Sequence, residues 1–292
     1  MTDIRDQHIP GVLTLKAPTA PLVPLAFDSP HSGAVYPDDF RTIASLAELR
    51  RAEDMFVDEL YGAAPALGAP LLMAHFPRLY IDPNRAETDL DPASLAGDWP
   101  GPPLRPGAKA ALGQGLIWMR RPPGIPVYDG PLPAAEVFRR VETYHRPYHR
   151  ALMGMVNALH GRFGGYCHVN CHSMPAVAGG MSADPPGSTR PDFVLGTRDG
   201  ETCGPDLLAL VREYLVARGF DVWVNEVYKG VEIVRACGNP AEGRHSLQIE
   251  VNRRLYMDEE RLEKSAGFPA MKAVIDGLVA AIADFAARTI PK

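Results

Sequence analysis

The chain has 292 residues, 46% hydrophobic and 22% charged, the balance of a folded chain long enough to bury its own core. Its formal charge is −5, which excludes the basic excess of a nucleic-acid-binding surface. No run approaches the ~18 uninterrupted apolar residues of a membrane-spanning helix.

Proline is abundant at 29 residues, but it is interleaved with apolar and aromatic residues, so a loop-rich globular protein is expected, not a disordered one. The opening MTDIRDQHIPG has no basic stretch followed by an apolar one. No secretory leader is therefore expected, and the cytoplasm is the expected compartment. Four cysteines, Cys167, Cys171, Cys203 and Cys237, are too sparse for a disulfide framework and are expected to be reduced.

In chain order, residues 22–27 (LVPLAF) read as a buried strand emptying into a tight loop, Asp28-Ser29-Pro30-His31-Ser32-Gly33. Leu49, Ala52, Phe56, Leu60, Ala63 and Leu67 recur at threes and fours, predicting an amphipathic helix over 48–67. Residues 69–76 and 79–81 read as a strand broken at Pro77 and ending in Asp82-Pro83-Asn84-Arg85. The Pro- and Gly-rich residues 91–133 read as a long ordered excursion, a kind of loop that is often functional. A helix follows over 134–163, and Pro147 should kink or split it. Residues 166–171, 193–196, 220–227 and 246–252 read as strands, with helices over 205–218 and 268–288. The alternation predicts a single-domain mixed α/β sheet with helices on both faces.

In open α/β sheets ligands bind beyond the carboxyl ends of the strands. Four predicted strands carry polar residues at that end: His31; Asp82, Asn84 and Arg85; His172 and Ser173; Glu250 and Asn252. Parity adds to this, because side chains alternate along a strand. His168, Asn170 and His172 share one face opposite Cys167, Val169 and Cys171. Gln248, Glu250 and Asn252 share a face opposite Leu247, Ile249 and Val251. Such polar rows are costly to bury without partners, so they are expected to line a polar site.

His31 and His172 are candidate metal ligands, and two histidines with a carboxylate are a known catalytic zinc set. Spacing leaves the third ligand open between Glu53 and Asp54. His145 and His149 lack the intervening Glu of the metalloprotease pattern, and the Cys167/Cys171 pair faces away from His168 and His172. Ser32 and Ser173 sit in no nucleophile elbow. Arg78, Arg85 and Arg253 flank the polar strand ends, and arginines suit carboxylate recognition.

Taken together, several segments resemble the N-formylglutamate amidohydrolase family. They are Asp28 to Gly33, Asp54 to Leu60, Arg78 to Arg85, Cys171-His172-Ser173-Met174 and Gly243 to Arg253, in one order over about 24–257. The resemblance implies a phosphorylase/hydrolase-like fold shared with zinc carboxypeptidases and aspartoacylase. It implies one zinc ion on His31, Asp54 and His172, and Glu250 as the catalytic glutamate. It further implies Arg78 at the oxyanion, and Asn84 and Arg85 on a substrate carboxylate, with Arg253 assisting. Carboxypeptidases carry a Glu three residues after the first histidine; here that position is Ala34, and the family pattern favours Asp54 instead. The implied reaction is metal-assisted hydrolysis of a small anionic N-acyl amino acid, N-formyl-L-glutamate foremost, with Glu250 moving the proton. The alternatives are another metallohydrolase of the same fold, a deacylase or carboxypeptidase, and a non-catalytic binding protein.

Overall fold

The structure, a computed structural model, describes residues 4–181 and 184–290; the first three residues of the opening segment lie outside it. Its frame is an eight-stranded mixed sheet. The strands are β1 (Gln7–Ile9), β2 (Leu13–Lys16), β3 (Leu25–Ser29), β4 (Leu71–Ala74), β5 (Tyr166–Met174), β6 (Phe193–Gly196), β7 (Val222–Val224) and β8 (Arg244–Asn252). They lie in the order β1-β2-β4-β3-β5-β8-β6-β7. Strands β4, β3, β5 and β8 are parallel, so their carboxyl ends share one edge. The expected mixed α/β architecture is the one observed.

The central pair, β5 and β8, is matched over its whole length with Glu250 opposite His172. Their apolar face, Cys167, Val169, Cys171, Leu247, Ile249 and Val251, enters a core shared with helices Pro205–Val216 and Phe268–Thr289. The other face carries His168, Asn170, His172, Gln248, Glu250 and Asn252, all buried. On that side a second core forms around Leu152, Met155, Val156 and Leu159 of the helix Arg146–Phe163. Pro205 opens the first of these helices after Gly204, where its missing N–H costs nothing. Gly164 at φ 74 closes Arg146–Phe163.

The expected helix over 48–67 is instead three short pieces, Leu46–Arg50, Val57–Leu60 and the 3-10 turn Ala64–Leu67. Phe56 stands at φ 64, in the left-handed region, and the Asp54 N–H bonds the His31 carbonyl at 2.9 Å. That contact turns the chain back toward the β3 loop. Residues 79–81 belong to no strand: the Tyr80 N–H on the Pro77 carbonyl closes a turn over 77–80. The helix over 134–163 is interrupted by a π-turn, Val141–His145, just before Pro147, which accommodates the missing donor. The 220–227 strand shrinks to β7 because Asn225 and Val227 have positive φ. Strands β1 and β2 were not expected; both are short, and the residues of β1 are exposed on all three positions.

The excursion over 91–133 packs Leu116, Ile117, Val127, Tyr128 and Leu132 into the second core and makes a wall beside the sheet edge. Gly33 marks how tightly the β3 loop lies on the end of β4. A Cβ there would fall 2.4 Å from the His75 carbonyl carbon and from the Phe76 oxygen. No helix among the described residues is long and apolar enough to cross a membrane.

Truncating Ile249→Ala, fully buried in the centre of the first core, should cost about 2–5 kcal/mol. It should lower the urea midpoint at unchanged denaturant dependence; an unchanged midpoint would contradict the packing of the β8 apolar face.

Candidate active site

The parallel strand ends deliver the predicted residues to one place. His31 follows β3, His172 sits on β5 and Glu250 on β8. Asp54 enters from the broken segment between Leu46–Arg50 and Val57–Leu60. Arg78, Asp82, Asn84 and Arg85 come from the turns after β4. Of the two acids that spacing left open, Asp54 meets the histidines. Glu53 is buried elsewhere, accepting from the Tyr36 hydroxyl and facing Arg50 at 3.6 Å.

The ligand atoms of His31, Asp54 and His172 lie within 4.8 Å of one another. The hydrogen bonds around them decide which atoms face inward. Asp82 Oδ1 accepts from His31 Nε2 at 2.7 Å, which leaves His31 Nδ1 with its lone pair, buried and without a hydrogen-bond partner. At His172 Nε2, Asn170 Oδ1 is the nearer of two side-chain atoms, 2.7 Å against 3.1 Å for Asn84 Nδ2. Asn170 is oriented by donating its Nδ2 to Asp28 Oδ1 at 2.8 Å. The Nε2 therefore carries the proton and Nδ1 the lone pair. Those two Nδ1 atoms stand 3.4 Å and 3.0 Å from Asp54 Oδ2. Three electron-pair donors crowded together in a dry interior repel unless a cation lies between them. Imidazoles backed by a carboxylate and an amide are a metal-ligand arrangement.

The charge states agree. Burial pushes the Asp54 pKa up, but the imidazoles of His172 and His31 and the Arg78 charge nearby hold it well below the carboxylate range. Asp82 is likewise held down against burial by His31, Arg78 and Arg85. Burial lowers the His172 pKa despite Asp54. Glu250 goes the other way: burial, reinforced by the Asp54 charge, lifts it well above the usual carboxylate value. A carboxyl poised toward neutrality suits proton transfer.

Arg253 engages the frame with its guanidinium. It donates to Asp54 Oδ1, Ser173 Oγ and the Arg51 carbonyl. Arg78 donates from Nη2 to Asp82 Oδ2 at 3.0 Å, places Nη1 3.9 Å from Asp54 Oδ1 and stacks 4.6 Å from the Trp118 ring centre. Asn84 Oδ1 accepts from the Ile233 N–H. Arg85 donates Nε to the Gln114 carbonyl and Nη1 to the Asn84 carbonyl, and its Nη2 bonds no described residue. These groups border a cavity of about 520 Å³ lined by nine Lys or Arg side chains against three acids.

The profile of the N-formylglutamate amidohydrolase family matches residues 23–257. The chain belongs to that family. It is 30% identical over 247 residues to an N-formylglutamate deformylase of Pseudomonas putida, covering 81% of this chain and 83% of that one. The corresponding Pseudomonas aeruginosa deformylase is 31% identical over 248 residues, covering 82% and 84%. The crystal structure of an N-formylglutamate amidohydrolase from Ralstonia eutropha superposes with a TM-score of 0.90 at 44% identity, over 96% of this chain and all of that one. Like its relatives, this family member is a hydrolase.

Several residues of the site had no distinct role in the sequence reading. Asp28 and Asn170 orient His172 from within the sheet, and strand parity already put Asn170 on its face. Lys109, Gln114 and Trp118 reach the cavity from the excursion, where no periodicity marks them. His145 holds the Arg85 carbonyl through Nε2 at 2.8 Å. Burial, with His149 beside it, drops its pKa from 6.5 to about 3. Between those values the unfolded chain binds a proton that the folded one refuses. Its stability contribution is therefore complete above pH 6.5 and is lost as pH falls, by up to about 1.4 kcal/mol per pH unit. His145→Gln should remove about one proton's worth of that slope in denaturant titrations between pH 6.5 and 4.5; an undiminished slope would contradict a neutral buried His145.

Proposed function

We propose that this hydrolase cleaves the amide bond of N-formyl-L-glutamate to formate and L-glutamate, in the cytoplasm, with one zinc ion held by His31, Asp54 and His172. The observation that carries the reading is the set of three inward-facing ligand atoms beside Glu250, in register with His172. The similarity to the deformylases supports the substrate. A zinc ion at these residues supplies Lewis acidity toward water and toward the amide carbonyl.

The protein's own groups do the rest. Glu250 takes the proton of the attacking water and passes it to the departing amine nitrogen. Its neighbour Gln248 donates Nε2 to Glu250 Oε1 at 2.9 Å and fixes the carboxyl in place. Arg78 faces the negative charge that develops on the carbonyl oxygen. Arg85, beside Asn84, holds a substrate carboxylate with its remaining Nη2. Arg253 lines the same cavity and assists on the substrate carboxylate, and through its bonds to Asp54, Ser173 and the Arg51 carbonyl it also positions the Asp54 ligand. Trp118 from the excursion, with Pro175, Val177 and Met181, walls the cavity around the reacting groups.

Glu250→Gln should lower turnover by about 10²–10⁴-fold while metal content by elemental analysis stays at the wild-type level; wild-type rates would overturn its role. Asp54→Ala should abolish zinc binding in equilibrium dialysis, whereas Glu53→Gln should retain it. Asp82→Asn should weaken it by about 10–100-fold. Formate release from N-formylglutamate should vanish on chelation and return with zinc. Bound zinc without formate release would redirect the reading to another N-acyl substrate.

A further inference from the structure

N-formylglutamate differs from the N-formyl derivative of a neutral amino acid by one carboxylate, and the proposed function leaves that group without a partner. The cations around the cavity are not equivalent. Arg253 pairs with Asp54, Arg121 with Glu48, Lys229 with Asp199 and Arg190 with Asp184. Lys109 stands apart. It is half-buried at the cavity wall, and its ammonium forms no hydrogen bond or ion pair with a described residue. Burial and the like charges of Arg85, Arg78 and Arg190 push its pKa down, and the pull of Asp184 only partly offsets them. An ammonium so placed gains from any anion brought to it.

Backbone geometry ties this lysine to the arginine already assigned. The Lys109 carbonyl accepts from the Gln114 N–H at 2.8 Å, and the Gln114 carbonyl accepts from Arg85 Nε at 3.0 Å. One short loop thus ties together two cations that line the same cavity, each with donors to spare. That is the requirement for reading a dicarboxylate: two anchors at a set separation.

We propose that Lys109 is the specificity-determining residue for the second carboxylate of the substrate, binding the side-chain carboxylate of N-formylglutamate while Arg85 holds the α-carboxylate. The assignment rests on the proposed deformylase reading. It makes the excursion over 91–133 the selectivity element of the enzyme, separate from the metal ligands and Glu250, which would act on any N-formyl amino acid.

The test compares kcat/KM for N-formyl-L-glutamate with that for N-formyl-L-glutamine, nearly the same shape without the charge. Wild type should prefer the glutamate. In Lys109→Met the preference should fall by about 10–100-fold, the worth of one charge-assisted hydrogen bond, and the fall should appear in KM for the glutamate. Lys109→Arg should restore a large part of it, which a merely structural role would not do. A preference unchanged in Lys109→Met, or an equal loss on both substrates, would overturn the assignment and leave the deformylase reading intact. Formate release from neither compound by the zinc-loaded wild type would sink the deformylase reading, and the Lys109 assignment with it.

Discussion

A carboxylate with almost no exposure, Asp54, organises this protein. Burying an ionised acid costs several kcal/mol unless its oxygens are fully engaged. Here Oδ1 takes Arg253, and Oδ2 faces the inward nitrogens of His31 and His172. The cost also shapes the chain. The helix broken at residue 51, the left-handed Phe56 and the Asp54 N–H on the His31 carbonyl bend the main chain so that this side chain ends among the imidazoles. A regular helix over the same residues would leave Asp54 on its outer surface.

The rigidity of the site comes from the two long central strands. Their apolar faces are anchored in a core, so their polar faces cannot shift register without exposing six hydrophobic side chains. The polar face is a connected network. Asp28 accepts from Asn170, His168 and the Tyr148 hydroxyl, and His168 in turn meets Ser246 at 2.8 Å. Ser246, His168 and Asp28 have the composition of a nucleophilic triad, but all three have no solvent exposure and border no cavity that a substrate could enter. Their work is to satisfy one another and, through Asn170, to fix the tautomer of His172. A buried hydrogen-bonded network of this kind stiffens what it surrounds.

Electrostatics divide the molecule in a way that net charge hides. The chain is acidic overall, yet cationic side chains outnumber acids three to one around the cavity. A low-dielectric cleft focuses such a field and draws anions in. Several of these cations are oriented by acids outside the cavity lining, as Arg78 is by Asp82 and Arg121 by Glu48.

Alternation along β5 and β8 is a local property, and the sequence alone assigned His172 and Glu250 to one face and the apolar residues to the other. The loop ending in His31 and the polar strand ends were legible for the same reason, since hydrophobic runs and turn residues are short-range signals. The choice of Asp54 over Glu53 was not legible from spacing. Both lie in an apolar-periodic segment, and only a hydrogen bond to a residue more than twenty positions away breaks the helix there. Residues 79–81 looked like a strand because they are apolar, and they are apolar because the turn at 77–80 packs them into the second core. Lys109 was invisible in a stretch with no period. It matters because the fold lays that stretch beside strand ends distant in sequence, and contacts of that range are decided by the packing of the whole sheet and its two cores.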